Sequence, residues 1–190
     1  LELTVRQIVD CTEGKLLNEE IFDNKVTSVV TDSRKVTEGS LFICLEGLKF
    51  DGHNFIDAAF DKGAIACVVH KSIDSGNTNI IHVEDTLKAF GDIAAFYRGY
   101  YEERLNKPLI VVGVTGSVGK TSTKDFIYET LSRKYKTLKS ELNENNEIGV
   151  PRTILKLQDE EAIVIEMGMR GLNQIEYLSK IGKPTCGVIT

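Results

Sequence analysis

The fold is decided by one continuous stretch, Gly113-Val114-Thr115-Gly116-Ser117-Val118-Gly119-Lys120-Thr121-Ser122. An uninterrupted apolar run at residues 109–114 leads into it, and such a run predicts a strand buried on both faces of a parallel sheet. A helical pattern follows, from about residue 120 to residue 134. Because a glycine-rich turn between a buried strand and a helix is the setting of a phosphate loop, the stretch predicts a nucleotide-binding α/β domain.

The residue types in this loop suit the binding of a triphosphate. Glycines let the backbone wrap around phosphate oxygens, and the helix N-terminus adds partial positive charge. Lys120 can place its ammonium against the β- and γ-phosphates, and Thr121 can offer its hydroxyl to Mg²⁺. We therefore predict Lys120 as the catalytic residue, with ATP contacts along Thr115, Gly116, Ser117, Val118, Gly119, Lys120, Thr121 and Ser122.

The loop departs from the strict Walker pattern at one position. That pattern has glycine six residues before the lysine, where this chain has Val114, and Gly113 stands one residue too early. A glycine-rich turn without a ligand is the alternative interpretation. A GTPase is disfavoured because its DxxG and NKxD motifs do not follow the loop, whereas a small-molecule kinase stays open.

The residues after the loop continue the same alternation. Buried strands are predicted at residues 162–167 and 186–190, with an amphipathic helix between them at residues 172–181. Strand, helix, strand, helix, strand is typical of a doubly wound parallel sheet. The chain stops on the last of these strands, so we expect the domain to be truncated at its C-terminus.

The first part of the chain predicts a small mixed α/β domain. Helix caps are predicted at Thr4, which has capping-box spacing, and at Asn54 and Asp85. Short strands are predicted at residues 26–30, 41–45, 65–69 and 80–83. A polar stretch ends this part, and we place the domain boundary there, with domains at residues 1–106 and 107–190.

Composition narrows the class of protein and its partners. The 190 residues carry a formal net charge of -5, which gives no reason to expect nucleic acid as a partner. No apolar run approaches the roughly 20 residues that span a bilayer, and the start lacks the pattern of a signal peptide. Cys44, Cys67 and Cys186 lie in apolar runs, which predicts reduced core thiols in a cytoplasmic protein without membrane insertion.

An acidic residue is expected beside the phosphate loop. Glu166 comes near the end of the apolar run at residues 162–167, and ligands of a parallel sheet sit at the carboxyl ends of its strands. A carboxylate there can hold Mg²⁺ against ATP phosphates. We therefore predict Thr121 and Glu166 as metal ligands, the alternative being a helix-capping or salt-bridged glutamate.

Several segments together resemble the Mur ligase family. The loop at residues 115–121 is similar to the family's phosphate-loop signature, including the departure at Val114. Residues 143–151, Asn-Glu-Asn-Asn-Glu-Ile-Gly-Val-Pro, look like the family's asparagine-rich substrate loop, and Glu-Met-Gly-Met-Arg-Gly at 166–171 is similar to the segment with its acidic metal ligand. Thr-Asp-Ser-Arg at 31–34 and Asp-Gly-His at 51–53 resemble its nucleotide-binding N-terminal domain. The resemblance covers essentially the whole chain, in order.

The resemblance implies a site for a UDP-linked substrate. On their own, the loops that would form it predict ordinary turns. The resemblance makes Ser33 a partner of the uracil edge, Arg34 a partner of negative charge, and residues 48–50 a sandwich for the base with Lys49 near the diphosphate. The implied UDP-substrate contacts are Ser33, Arg34, Leu48, Lys49, Phe50, Asn145 and Asn146.

The resemblance also implies a reaction. Residues 145–151 and 166–171 look most like those of family members that add D-alanyl-D-alanine to UDP-N-acetylmuramoyl tripeptide in peptidoglycan precursor synthesis. Such an enzyme uses ATP and Mg²⁺ to form an acyl phosphate, which the dipeptide amine attacks. A metal-binding histidine, a carbamylated lysine and an amine-binding domain would lie beyond Thr190, so we expect this chain alone to be inactive. A small-molecule kinase and a non-catalytic binding module are the alternatives.

Overall fold

A computed structural model describes residues 1–48, 50–73 and 76–190. The chain is mixed α/β, as predicted, and divides into two units, Leu1–Ile93 and Ala94–Thr190. In this described part of the chain, no helix combines the length and the apolar character needed to cross a membrane.

The first unit is built on a mixed sheet and a small hairpin. In chain order its strands are β1 (Lys15–Leu16), β2 (Ser28–Val30), β3 (Ser40–Ile43), β4 (Glu46–Gly47), β5 (Phe50–Asp51), β6 (Ala66–Val69) and β7 (Ile80–His82). The hairpin pairs β4 with β5, and the other five strands form a sheet in the order β1-β7-β6-β3-β2. Only β1 runs antiparallel to its neighbour in that sheet.

The α-helices that begin among the described residues of the first unit are α1 (Val5–Thr12), α2 (Ile56–Asp61) and α3 (Thr86–Leu105). The capping box predicted at Thr4 is present, and Asp85 Oδ1 accepts the backbone N–H groups of Leu87 and Lys88 at the start of α3. The predicted cap at Asn54 is wrong. Asp51 instead accepts from the backbone N–H of His53, which starts a 3-10 helix that leads into α2.

The core of the first unit lies around its two central strands. Every residue of β3 and β6 is buried, because both faces of these strands are covered. Cys44 and Cys67 pack there against Ile56 and Ala59 of α2, as expected for core thiols. Burial raises the pKa of the Cys44 thiol to about 12.

The second unit is a parallel sheet of four strands with helices between them. The strands are β8 (Ile110–Thr115), β9 (Thr137–Lys139), β10 (Ala162–Glu166) and β11 (Cys186–Ile189), in the order β11-β8-β10-β9. The helices are α4 (Lys120–Leu131), α5 (Gly149–Ile154) and α6 (Gln174–Gly182). Strands β9 and β10 lie on one side of β8, and β11 lies on its other side. This reversal of strand order is expected of the doubly wound class.

The structure corrects three expectations in this unit. The sequence did not predict β9, and the segment at 143–151 is not only a turn, because Gly149 begins α5. Pro151 is the third residue of that helix, where the missing N–H costs no helical hydrogen bond. Cys186 is exposed, not buried, since it lies on the edge strand β11.

The predicted domain boundary between residues 106 and 107 stays a prediction, and the structure divides into its two compact units at a different point. That point falls inside α3, between Ile93 and Ala94. The reason is that the second half of this helix is anchored to the second unit. Tyr97 donates its hydroxyl to Leu157 O over 2.6 Å, and Tyr101 donates to Glu160 O over 2.8 Å.

Candidate nucleotide and metal site

Two neighbouring parallel strands bring the predicted site together. Strands β8 and β10 pair in a register that sets Val114 opposite Glu166. The phosphate loop follows β8 directly, and Glu166 is the last residue of β10. Both therefore lie at the carboxyl edge of the sheet, where parallel α/β folds bind ligands.

The loop requires glycine at two positions. Gly116 and Gly119 have φ angles of 140° and 86°, in the left-handed region that side chains rarely adopt. A Cβ on Gly116 would also lie 2.2 Å from Thr190 O. Val114, the departure from the Walker pattern, is a strand residue whose side chain is fully buried. An apolar side chain is therefore tolerated there, because the position belongs to β8 and not to the loop.

The lysine and the exposed residues of the loop have distinct places. Lys120 is the first residue of α4, and its Nζ donates to Gly116 O over 2.8 Å, so the ammonium lies against the loop backbone. Ser117 and Val118 are exposed between the two glycines, and Ser122 is exposed on the first turn of α4. The strand, loop and helix context predicted for a phosphate loop is present.

The two predicted metal ligands touch each other. Thr121 Oγ1 donates to Glu166 Oε2 over 2.9 Å. Asn145 Nδ2 donates to the other carboxylate oxygen, Oε1, over 3.0 Å. Glu166 is only 5% exposed, so these contacts fix the direction of a buried carboxylate.

This pair of side chains fits a magnesium ion. A hydroxyl and a carboxylate are hard oxygen ligands, which Mg²⁺ prefers. Within the described residues, no group of three or more His, Cys, Asp or Glu side chains is arranged to hold a metal. A cation at Thr121 and Glu166 would therefore complete its shell with phosphate oxygens and water, as Mg²⁺ commonly does at nucleotide sites.

Two residues at this site were not predicted from the sequence. Ser140 is fully buried, and its Oγ accepts the backbone N–H of Glu166 over 3.1 Å. Lys124 is 3% exposed, and its Nζ lies 3.8 Å from Glu166 Oε2. The one signal for Lys124 in the sequence was its position four residues after Lys120, which puts both lysines on the same face of α4.

Asn146 does not contact Glu166 in the way that Asn145 does. Its Oδ1 accepts the backbone N–H groups of Ile148 and Gly149, at 3.1 and 2.9 Å, and so holds the start of α5. Gly149 is required there, since a Cβ would lie 2.4 Å from the Cα of Glu144. Contact of Asn145 and Asn146 with a sugar nucleotide stays a prediction.

In the first unit, the predicted uracil partner is a buried serine. Ser33 is 8% exposed and begins a 3-10 helix, and its carbonyl accepts Lys62 Nζ over 3.0 Å. Arg34 turns back onto Asp32, with Nη2 2.8 Å from Oδ2. Hydrogen bonds from Arg34 lower the pKa of Asp32 to about 2. The roles of Ser33 and Arg34 in substrate binding stay predictions.

The predicted base-binding loop is the turn of the β4–β5 hairpin. Leu48 is fully exposed, Phe50 is half-exposed and stacks on Phe55 with ring centroids 5.3 Å apart, and Lys49 lies outside the described residues. Lys71 joins the two strands, because its Nζ lies 2.8 Å from both Glu46 Oε2 and Asp51 Oδ2. Two apolar side chains are thus presented to solvent by a charge-bridged hairpin.

Comparisons with known proteins agree with this geometry. The chain is 44% identical over 171 residues to the UDP-N-acetylmuramoyl-tripeptide–D-alanyl-D-alanine ligase of Synechocystis sp., covering 88% of the chain and 36% of that relative. It superposes on the crystal structure of MurF from Acinetobacter baumannii with a TM-score of 0.90 at 33% identity, covering all of the chain and 41% of that protein. MurF from Thermotoga maritima in complex with ADP gives a TM-score of 0.73 at 37% identity, covering 83% of the chain and 35% of that protein.

The chain therefore spans about two fifths, or less, of the length of these relatives. Two family models match it in succession. The catalytic domain model of the Mur ligase family matches residues 25–98, and the Mur ligase middle domain model matches residues 114–190. The chain belongs to the Mur ligase family.

Proposed function

We propose that this chain is part of an ATP-dependent ligase that adds D-alanyl-D-alanine to UDP-N-acetylmuramoyl tripeptide in peptidoglycan precursor synthesis. The observation that carries the proposal is the contact of Thr121 with Glu166 beside Lys120, because these residues would provide a cation site and a phosphate charge partner at one sheet edge. The name of the Synechocystis relative supports the choice of substrates. The ADP in the Thermotoga structure supports the choice of nucleotide.

The loop would bind ATP through residues 115–122. On binding, Lys120 would exchange its hydrogen bond to Gly116 O for the β- and γ-phosphates. Backbone N–H groups at the start of α4 would donate to phosphate oxygens, with the helix dipole adding to the attraction. The catalytic contribution of these groups is positioning and charge neutralisation.

The carboxylate of Glu166 and the hydroxyl of Thr121 would hold Mg²⁺ against the same phosphates. When bound, the ion would neutralise charge that develops on the transferred phosphoryl group. Asn145 and Ser140 would keep Glu166 in place, since one donates to its carboxylate and the other accepts from its backbone N–H. This ordering means that little rearrangement is needed when the cation arrives.

The reaction would proceed in two steps. A carboxylate oxygen of the tripeptide attacks the γ-phosphorus, the bond to ADP breaks, and an acyl phosphate forms. The amine of D-alanyl-D-alanine then attacks the acyl carbon, the carbon–oxygen bond to phosphate breaks, and the nitrogen loses a proton. The products are an amide, ADP and inorganic phosphate. Lys120 would stay against the phosphoryl group during its transfer.

The first unit would recognise the UDP end of the substrate. Ser33 would pair with the uracil edge, Arg34 would meet negative charge, and Leu48 and Phe50 would enclose the base, with Lys49 near the diphosphate. Asn145 and Asn146 would also contact the sugar nucleotide. Binding energy gained far from the reacting carboxylate can be used to hold that carboxylate against ATP.

Amine-dependent product formation tests this function. The complete protein that carries this chain would be incubated with ATP, Mg²⁺, the UDP-linked tripeptide and D-alanyl-D-alanine, and the products analysed by mass spectrometry. We expect a pentapeptide product and phosphate release that both require the dipeptide, and their loss in Lys120→Ala but not in the exposed control Lys134→Ala. A stable phosphate ester of the substrate, formed with or without the dipeptide and with no amide product, would favour a kinase instead.

A further inference from the structure

Lys124 is a buried cation inside the candidate site. Its side chain is 3% exposed, and its Nζ lies 3.8 Å from Glu166 Oε2 and 3.7 Å from Asp125 Oδ1. A buried lysine is costly to desolvate unless a negative charge compensates it. Glu166, itself only 5% exposed, supplies that charge. The ion pair therefore joins a residue of α4 to the predicted metal ligand at the end of β10.

The ammonium faces the same oxygen that a cation would need. Glu166 Oε2 accepts from Thr121 Oγ1, so this oxygen and that hydroxyl mark the expected position of the metal. The other oxygen, Oε1, is already engaged by Asn145. A divalent ion bound to Oε2 would lie close to Lys124, and two cations on one carboxylate repel each other strongly in a buried setting.

Asp125 offers Lys124 a second partner. Its Oδ1 is 3.7 Å from Lys124 Nζ and accepts Lys139 Nζ over 2.9 Å. The hydrogen bond from Lys139, with the nearby charge of Lys124, keeps the pKa of Asp125 below its ordinary value, so Asp125 is ionised. Lys124 therefore lies within ion-pair distance of both carboxylates and would keep Asp125 as a partner if a cation took Glu166.

We propose that Lys124 is a positioning residue that occupies Glu166 as its counter-ion until nucleotide arrives, so that the divalent cation binds well only together with the triphosphate. This inference rests on the proposed metal site at Thr121 and Glu166. Without nucleotide, Lys124 neutralises the carboxylate and repels a second cation. With nucleotide, the negative phosphates offset the added charge, and Lys124 is released toward Asp125 or the phosphates.

Binding of Mn²⁺ to the complete protein tests the proposal without any turnover. Water proton relaxation would distinguish protein-bound from solvated Mn²⁺, with and without a non-hydrolysable ATP analogue. In the wild type we expect weak binding of Mn²⁺ alone and strong binding with the analogue. Lys124→Met should bind Mn²⁺ alone about tenfold more tightly, because a repelling charge is gone. Lys124→Arg keeps the charge and should resemble the wild type.

Three further variants serve as controls for this measurement. Lys134→Met removes an exposed lysine of the same unit and should change nothing, which controls for net charge. Lys124→Gln replaces Lys124→Met if thermal unfolding shows that the latter does not fold. Adding Glu166→Gln to the Lys124 variant should abolish the gain in affinity.

The outcomes separate the inference from the function on which it rests. If a folded Lys124→Met or Lys124→Gln variant binds Mn²⁺ without nucleotide no more tightly than the wild type does, the proposed role of Lys124 is overturned. Nucleotide-dependent binding of Mn²⁺ to the wild type would in that case still support the metal site. Absence of protein-bound Mn²⁺ in the wild type even with the analogue would overturn both.

Discussion

Thr121 and Glu166 are 45 residues apart in sequence, yet the hydroxyl of the first donates to the carboxylate of the second over 2.9 Å. The contact follows from the parallel pairing of β8 with β10, which sets Val114 opposite Glu166 and leaves the loop beside the end of the neighbouring strand. The pair thus links the sheet register directly to the proposed ATP and Mg²⁺ chemistry.

Thr121→Val tests that link. The substitution keeps the shape of the side chain and removes the hydroxyl, so we expect Mg²⁺-dependent ATP binding to weaken on the order of tenfold, with a stability cost of about 1 kcal/mol. Calorimetric titration of ATP with and without Mg²⁺ measures the effect. Thr130→Val, on the same helix with its hydroxyl donating to Phe126 O, should bind like the wild type. Equal Mg²⁺ dependence in both variants would count against Thr121 as a ligand.

Lys120→Ala addresses the phosphate contact. Lys120 donates to a backbone carbonyl at the loop and is not part of the apolar core, so its removal should leave the melting temperature nearly unchanged. ATP affinity should fall at least about tenfold, since a charge-assisted contact to phosphate is lost. The same calorimetric titration measures it, with Lys134→Ala as the matched control. Unaltered ATP affinity in Lys120→Ala would mean that the loop does not bind phosphate.

Much of the site could be predicted because its signals are local. The apolar run before residue 115 and the glycines after it specify a strand, a loop and a helix within one short stretch. Glu166 could be placed because it ends another apolar run, and parallel strands share one carboxyl edge. Lys124 could not be recognised, because its burial depends on how α4 packs against β10, which no local pattern records.

The elements that the sequence analysis missed or assigned wrongly also have physical explanations. The asparagine-rich segment before Gly149 carries strong turn signals, and α5 forms because Gly149 packs tightly on Glu144, whose carboxylate accepts from Thr153. Strand β9 has only three residues and lies at the sheet edge, too short for an alternating pattern. Asn54 and Asp51 are both common caps, and only the backbone geometry decides between them.

Ser33→Ala tests the proposed uridine pocket. Loss of one hydrogen-bonding group against a buried uracil edge should weaken binding of the UDP-linked tripeptide by about 1–3 kcal/mol. ATP affinity should not change, because the phosphate loop lies in the other unit. Ser72→Ala, at an exposed position of the same unit, is the control. If the UDP ligand binds Ser33→Ala and wild type alike, the uracil contact lies elsewhere.

Lys71→Met tests whether the charged bridge of the β4–β5 hairpin supports substrate binding. Lys71 joins Glu46 to Asp51, and the hairpin carries Leu48 and Phe50. Loosening it should weaken UDP-ligand binding several-fold at unchanged ATP affinity, and Lys71→Arg should restore most of the loss. Calorimetry with both ligands measures this. If neither substitution changes the affinity for the UDP ligand, the charged bridge of the hairpin does not support substrate binding.

The same substitution should change the acid stability of the first unit. Hydrogen bonds from Lys71 and then His53 hold the pKa of Asp51 below its ordinary value. A lowered folded-state pKa contributes stability above the unfolded pKa, near about 4, and that stability is lost as pH falls through the folded value. In Lys71→Met the folded-state pKa of Asp51 should lie closer to its unfolded value, so the variant should have less of this stability at about pH 5 and lose less of it as pH falls. Urea unfolding between about pH 5 and pH 2 measures the difference, and an equal loss of stability in wild type and variant would contradict it.

The path of one oxygen atom shows whether the reaction passes through an acyl phosphate. If the tripeptide carboxylate attacks ATP, one of its oxygens must leave with the phosphate when the amine attacks the acyl carbon. The complete protein would be given tripeptide labelled with ¹⁸O in the terminal carboxylate, together with ATP, Mg²⁺ and D-alanyl-D-alanine, and the phosphate analysed by mass spectrometry. An acyl-phosphate intermediate predicts one ¹⁸O in the released phosphate for each amide formed. Amide product accompanied by phosphate that carries no ¹⁸O, with the lost label found in AMP or water instead, would contradict it.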